Sequence, residues 1–377
     1  MTIHYFIFAG ESSGDLHGSR LMQALQQKSC TIAGVGGPAM RAQGIACVLK
    51  MEEFQVMGLS DVLKSLPKLY KQFYIILNAI LMTKPDCVIL IDYPGFNLRL
   101  AKKLRQKGFK GKIVQYVCPT VWAHGEKRIA IMAKTLDLLV TIFPFEPSYF
   151  SHTSLNVKYV GNPLVEHIET YTYDTEWKKQ FAKPLIALFP GSRIGEIQRN
   201  LSLQIQAAIL LKQKHPNLNF AVSYSQDHLL PIIRKIIDEF SFECQLVPRQ
   251  FTYELMQHCD MALAKSGTVT LELALHRCPT VVVYQLTTLN YLFAKYLLKL
   301  HLPHYCIVNI MSKSEVFPEL IGKDIQPQHL CTQLEKLYSD KKIRANVRQG
   351  CEQICNSLGR KNAHQGAAKA VWELLKC

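Results

Sequence analysis

Residues 185–198 read LIALFPGSRIGEIQ. Leu185 to Phe189 is a short apolar run, Pro190-Gly191 breaks it, and from Glu196 the pattern turns helical with one polar face: strand, tight turn, helix. Such a turn is built to receive an anion. Gly191 and Gly195 let backbone approach closely, Ser192 offers a hydroxyl and an amide, and the helix start supplies unpaired N–H groups with a partial positive charge. Arg193 adds a planar fork of donors. The stretch is neither a P-loop, because no Lys-Ser/Thr pair closes it, nor a dinucleotide fingerprint, because Gly-x-Gly-x-x-Gly is absent. An ordinary strand-to-helix turn with a surface Arg is the plain alternative.

A second stretch strengthens the anion reading. Residues 265–272, KSGTVTLE, follow the apolar run 261–264 and open another helix, with Ser266, Gly267 and Thr268 at its start. Glu272 falls about one turn inside that helix, where a carboxylate can accept both hydroxyls of a ribose, as an acidic residue does in dinucleotide folds. Phosphate at one loop and ribose at the other describe a nucleotide site.

Working outward, the same rhythm fills the chain. A strand at 4–9 leads to the loop Gly10-Glu11-Ser12-Ser13-Gly14-Asp15 and a helix to 26; further strands are expected at 31–35, 87–91, 112–117 and 138–143. A Tyr-, Asp- and Thr-rich segment at 166–177 breaks the alternation, which restarts at 185 and continues through 219–223, 244–247, 261–264 and 280–284. The fold class is therefore α/β, with two doubly wound Rossmann-like domains facing a cleft. The expected division is a first domain over 1–165, a linker region over 166–184 and a second domain over 185–377, whose last helix is free to pack back on the first. In such folds ligands bind beyond the carboxyl ends of the strands, which makes Glu11, Asp15, Asp92, Trp122, Glu146 and Asn162 candidates.

Bulk properties bound the function. The 377 residues are 48% hydrophobic, ample for two cores. Lys and Arg number 44 against 29 Asp and Glu, a formal charge of +15, which favours an anionic partner such as nucleic acid, an acidic membrane or a phosphorylated substrate. The 12 cysteines form no Cys-x-x-Cys pair and several sit in apolar runs, as expected of reduced cytosolic thiols. Cys351 and Cys355 share a helix face with no nearby His or Cys, so no metal site is assigned. The first nine residues lack a basic leader and read as a strand rather than a signal peptide. No stretch approaches the roughly 20 apolar residues of a membrane-spanning helix.

Residues 53–82 stand apart. Val62, Leu63, Leu66, Leu69, Tyr70, Phe73, Ile76, Leu77 and Ile80 recur at helical spacing, with Lys64, Lys68 and Lys71 between them. A core helix under the sheet is one reading. A wide apolar face flanked by lysines, suited to lie on anionic lipid, is the other, with Val62, Leu63, Leu66, Leu69 and Tyr70 as the lipid contacts. Pro67 predicts a broken element here.

Taken together, the motifs GESSGD (10–15), VMG (56–58), IDYPGFN (91–97), VWA (121–123), FPFE (143–146), PGSR (190–193), SGTVTLE (266–272), YCIVN (305–309) and PEL (318–320) resemble the lipid A disaccharide synthase family of GT-B glycosyltransferases over nearly the whole chain. Ser12 stands where that family usually has Ala, His124 where a second Trp is expected, and Asn162 where His commonly precedes Pro163. The resemblance implies inverting transfer of 2,3-diacylglucosamine from UDP to 2,3-diacylglucosamine 1-phosphate, without cofactor or metal, by a peripheral protein on the cytoplasmic face of the inner membrane. It implies catalytic roles for Asp92, Arg193, Glu11 and Asn309, and a UDP site of Gly191, Ser192, Arg193, Ser266, Gly267, Thr268 and Glu272. Partners are then the two lipid-borne sugars and the anionic membrane surface, not nucleic acid. Another UDP-sugar enzyme of the same fold, such as a lipid-linked N-acetylglucosaminyltransferase or an epimerase, and a basic lipid-binding module without chemistry are the rivals. Asp92 is the expected general base with Glu11 as the alternative, and a helix N-cap is the competing use of Asp92.

Overall fold

The computed structural model describes residues 2–54, 59–288, 302–360 and 362–376, with backbone alone for 59–66, 123–126 and 178. The chain forms two compact units, one of residues 1–167 with 358–377 and one of residues 168–357.

The first unit runs β1 (Ile3–Ala9), α1 (Ser12–Leu25), β2 (Cys30–Gly36), α2 (Pro38–Ala42), β3 (Ala46–Lys50), α3 (Leu59–Thr83), β4 (Cys87–Ile91), α4 (Pro94–Gln106), β5 (Lys112–Tyr116), α5 (Val121–Thr135), β6 (Leu138–Thr141), β7 (Asn156–Tyr159) and α6 (Pro163–Glu169). Its seven strands are ordered β3-β2-β1-β4-β5-β6-β7 and pair in parallel. The order reverses between β1 and β4, so the loops that follow these two strands diverge and leave room above them.

Period-two alternation decides which core each strand residue enters. Tyr5, Ile7 and Ala9 of β1, with Cys87, Ile89 and Ile91 of β4, point into one layer, where Leu21, Met22 and Leu25 of α1 meet them. Phe6 and Phe8, with Val88 and Leu90, point into the opposite layer against Ile76, Leu77 and Ile80 of α3 and Leu100 and Leu104 of α4.

The second unit runs β8 (Leu185–Phe189), α7 (Ile194–Lys214), β9 (Asn219–Tyr224), α8 (Leu230–Glu239), β10 (Gln245–Pro248), α9 (Thr252–His258), β11 (Met261–Lys265), α10 (Thr268–Leu275), β12 (Thr280–Gln285), α11 (Ile307–Ser312), β13 (Glu319–Gly322), α12 (Pro327–Ser339) and α13 (Lys341–Leu358). Its six parallel strands are ordered β10-β9-β8-β11-β12-β13, with the reversal between β8 and β11. Both units are thus doubly wound α/β sheets.

Three local features bear on the sequence expectation. The stretch expected as a linker is mostly part of the second unit, because Ile168, Tyr171, Tyr173, Trp177 and Phe181 are apolar enough to join its core. The last helix, α14 (Ala363–Lys376), belongs to the first unit: Ala363, Ala367, Ala368, Ala370 and Val371 supply a small-residue face to the layer that holds α1. Pro67 lies inside a continuous α3 rather than breaking it. Proline removes one backbone donor there, and burial of Gln72, Ile76, Leu77 and Ile80 beyond it holds the helix.

Among the expected lipid contacts, the side chains of Val62, Leu63 and Leu66 lie outside the described residues. Leu69 is half-buried and packs against the core. Tyr70 is exposed, its hydroxyl donating to Tyr74 Oη at 3.2 Å. Among the described residues no helix is long and apolar enough to cross a membrane.

Candidate active site

At the β1/β4 reversal the two acidic candidates of the first unit come close. Ser13 Oγ donates to Asp92 Oδ2 at 3.3 Å, and the exposed Glu11 lies near enough to Tyr93 to raise its phenol further above its usual range, where burial is the larger cause. Asp92 (φ +49°) and Tyr93 (φ +44°) are both left-handed. Two consecutive non-glycine residues in this region are strained, and something must hold them there.

What holds them is a pair of buried amides. Asn97 Nδ2 and Gln115 Nε2 both donate to the carbonyl of Asp92, the latter at 3.0 Å, while the Asp92 amide donates to the Tyr116 carbonyl at 3.0 Å. Asn97 and Gln115 are fully buried and share a network, Asn97 Nδ2 also donating to Gln115 Oε1 at 3.3 Å and Gln115 Nε2 to the Val117 carbonyl at 3.1 Å. The turn lifts the half-buried Asp92 side chain off the strand end. The N-cap of α4 is Tyr93, with no side-chain bond to the helix start, so the capping role considered for Asp92 is not the one the structure gives it.

Other strand-end candidates serve the backbone. Asp15 is buried and accepts from Gly37 and Met40 through Oδ1 (2.7 and 3.0 Å) and from Ala39 through Oδ2 (2.9 Å), capping α2. Asn162 ties Ile142 to Leu164. Glu146 accepts from the amides of Ile142 and Phe143 at 3.1 and 3.0 Å, and burial pushes its carboxyl up to about 8. Trp122 packs edge-on to Phe145 at 5.2 Å beside it.

In the second unit the reversal between β8 and β11 carries the two glycine-bearing turns. Gly191 has φ +115°, and a Cβ there would meet Glu196 Oε2 at 2.9 Å, so both conformation and space require glycine. Ser192 and Arg193 are exposed at the start of α7, as are Gly267 and Thr268 at the start of α10; Ser266 is half-buried and its amide donates to Val283.

Two residues that sequence reading missed sit between these turns. Lys265 Nζ lies 3.1 Å from Glu196 Oε1 and 4.7 Å from the centre of the Tyr284 ring, and Arg193 Nη1 lies 3.7 Å from the same carboxylate oxygen. Lys265 and Glu196 side chains are only 16% and 8% exposed, whereas Arg193 is 83% exposed. One buried carboxylate therefore holds two cations at the mouth of the loop, and one of them is free to swing outward. The only sequence signal was a charged residue ending an otherwise apolar strand.

Buried amides brace this unit as well. Gln204 Nε2 donates to the carbonyls of Phe189 and Leu263, each at 3.3 Å, and Asn200 bridges Glu196 to Gln285. Glu272 is half-buried and accepts from Tyr253 Oη at 2.9 Å through Oε1; burial raises its carboxyl, while Tyr253 and then Arg249 pull it back. Asn309, expected as a catalytic residue, is bound to backbone. It is fully buried, with Nδ2 donating to the Phe317 carbonyl at 2.8 Å and Oδ1 accepting from Val316 and Phe317 at 2.9 Å each, which spends its amide on the loop before β13.

The family profile of lipid-A-disaccharide synthetase matches residues 5–371. The chain is 44% identical over 365 residues to a lipid-A-disaccharide synthase of Chlamydia pneumoniae, covering 94% of this chain and 60% of the relative, so it spans about three fifths of that relative's length. To the synthase of Geobacter metallireducens it is 32% identical over 375 residues, covering 98% and 96%. Among solved structures, Acinetobacter baumannii MurG superposes with a TM-score of 0.59 at 13% identity, covering 99% of this chain and 100% of that one, a likeness of fold. Both sheets have the doubly wound order of the GT-B fold, and the match of nearly the entire chain places this protein in the lipid-A-disaccharide synthetase family.

Proposed function

We propose that the chain is an inverting glycosyltransferase that moves 2,3-diacylglucosamine from UDP to 2,3-diacylglucosamine 1-phosphate, releasing UDP and forming a β-1′,6 linkage. The observation that carries this is the paired turns at the β8/β11 reversal, with Arg193 and Lys265 gathered on Glu196, in a chain of this family. As the glycosidic bond breaks, charge builds on the β-phosphate. Helix-start amides and these two cations stabilise it. Glu272 takes the ribose, and Asp92 removes the proton of the attacking hydroxyl, with Glu11 as the alternative base.

Calorimetry with UDP tests the nucleotide half. Lys265→Met is expected to weaken UDP binding roughly 10- to 100-fold, the worth of one charge-assisted contact. Glu272→Gln is expected to weaken affinity while leaving turnover at saturation nearly intact, since the ribose does not change during the reaction. No UDP binding by the wild-type chain would remove the proposal. Assay with acylated against unacylated UDP-glucosamine then separates this reaction from other UDP-sugar chemistry.

We also propose reversible docking on an anionic membrane, at the cytoplasmic face of the inner membrane where the substrates would be met. Tyr70, Ile75 and Met82 are exposed on α3, at 65%, 37% and 82%, with Lys68 and Lys71 exposed alongside. Tyr70→Ser with Met82→Ser is expected to release protein from vesicles containing anionic lipid, and salt near 1 M, where screening acts within about 3 Å, to do so in part. Equal vesicle binding by this double variant and the wild type would exclude the patch.

A further inference from the structure

Behind Ser13 and Asp92, the first unit holds a group of donors without a matching acceptor. His17 lies one turn beyond Ser13 on the same face of α1. Its ring centre is 6.0 Å from that of Tyr116, at the end of β5, and 5.9 Å from that of His364 on α14. Tyr116 Oη and His364 Nδ1 are 3.2 Å apart, and His364 Nε2, in a side chain 4% exposed, has no partner. If the tyrosine donates to Nδ1, Nε2 carries the proton and is a buried donor aimed at nothing.

Arg20, one turn further along α1, donates to His167 Nδ1 of α6 at 3.3 Å. Among the described residues no carboxylate lies within ion-pair distance of it. A half-buried guanidinium normally finds an anion, because its charge is costly to desolvate unpaired. Here it has imidazoles instead. Burial first, then the neighbouring His17 and Arg20 charges, push His364 down to about 3; burial and Arg20 lower His17, against the opposing pull of Asp92. The charged and titratable groups facing the cluster are Asp92 from the turn after β4, His17 and Arg20 from α1, Tyr116 from β5, Glu166 and His167 from α6, and His364 from α14. The nearest carboxylates are engaged elsewhere: Asp92 accepts from Ser13, and Glu166 accepts from Asn362 at 3.0 Å.

We infer that Arg20, His17 and His364 form a seat for a phosphate monoester, and, resting on the glycosyltransferase reading above, that this is the 1-phosphate of the acceptor sugar. A phosphate monoester brings close to two negative charges and three acceptor oxygens, which satisfies the guanidinium and the unpartnered imidazole N–H together. Its charge also offsets the part of the downward push on both imidazoles that comes from Arg20, while burial, the larger cause, remains.

Glucosamine 1-phosphate, inorganic phosphate and glucosamine are titrated against the full chain while the histidine ring resonances are followed by NMR. Both phosphates are expected to shift His17 and His364 and to raise their pKa, glucosamine to do neither, and the sugar phosphate to bind more tightly than inorganic phosphate. Arg20→Gln is expected to raise KM for the acceptor by roughly 10-fold or more, leaving UDP affinity by calorimetry unchanged. Unmoved histidine resonances in the wild type would overturn the seat, a result that needs no variant to fold. Equal affinity for the two phosphates with an unaltered acceptor KM in Arg20→Gln would make it a free-anion site and overturn the acceptor assignment. A wild-type chain that fails to bind UDP would strike the enzymatic reading, while the phosphate titration still decides the seat.

Discussion

Asp92→Asn is expected to lower turnover by roughly 10² to 10⁴ while leaving the folded protein as stable as the wild type. Asparagine is the least disruptive choice here. Residue 92 has φ +49°, and asparagine enters the left-handed region more readily than most side chains, so the strained turn is kept. Its amide oxygen still accepts from Ser13 Oγ, which donates to Oδ2 in the wild type. The two amides that grip this residue, Asn97 and Gln115, bind its backbone carbonyl and are indifferent to the substitution. What the variant lacks is basicity, since an amide cannot take the proton of a sugar hydroxyl. The measurement is steady-state turnover with thermal melting in parallel. A folded variant with near-normal turnover would move the role of base to Glu11, on the neighbouring loop. Equal loss of turnover and of melting temperature would mark Asp92 as a structural residue.

The parts of this fold that could be read from sequence are those in which the signal is local. Apolar runs closed by Gly or Pro, as at 185–191, announce a strand and its turn within a few residues, and their repetition announces a parallel doubly wound sheet. The interactions that shape the candidate site are different in kind. Gln115 interrupts the apolar strand KIVQY, yet nothing nearby in sequence says that it grips the carbonyl of Asp92; that pairing exists only once β4 and β5 are neighbours. The same holds for Lys265 and Glu196, which meet because β11 lies beside β8. Asn309 shows the converse. Its place in a recognisable motif suggests chemistry, while the partners of its amide are the buried backbone of Val316 and Phe317. Position in a motif told where a residue sits along the chain, while burial and partners told what it does.

Arg193→Ala is expected to reduce turnover by roughly 10² to 10³, equivalent to about 2.7–4 kcal/mol of transition-state stabilisation. The side chain is 83% exposed and its contact to Glu196 is long at 3.7 Å, so its removal should barely change stability. That exposure suits a group that must reach a bound diphosphate. Lys265, by contrast, is held at 3.1 Å from Glu196 and over the Tyr284 ring, and its charge is committed before any nucleotide arrives. The two cations are therefore expected to separate in kinetic signature. Loss of Lys265 weakens the UDP group in ground state and transition state alike and appears mainly in KM. Loss of Arg193 removes a contact that strengthens as charge develops on the leaving phosphate and appears mainly in kcat. Arg193→Lys should recover only part of the rate, because an ammonium keeps the charge and forfeits the two-pronged geometry. Full turnover in Arg193→Ala, or a loss confined to KM, would withdraw it from the transition state and leave leaving-group stabilisation to Lys265 and the helix-start amides.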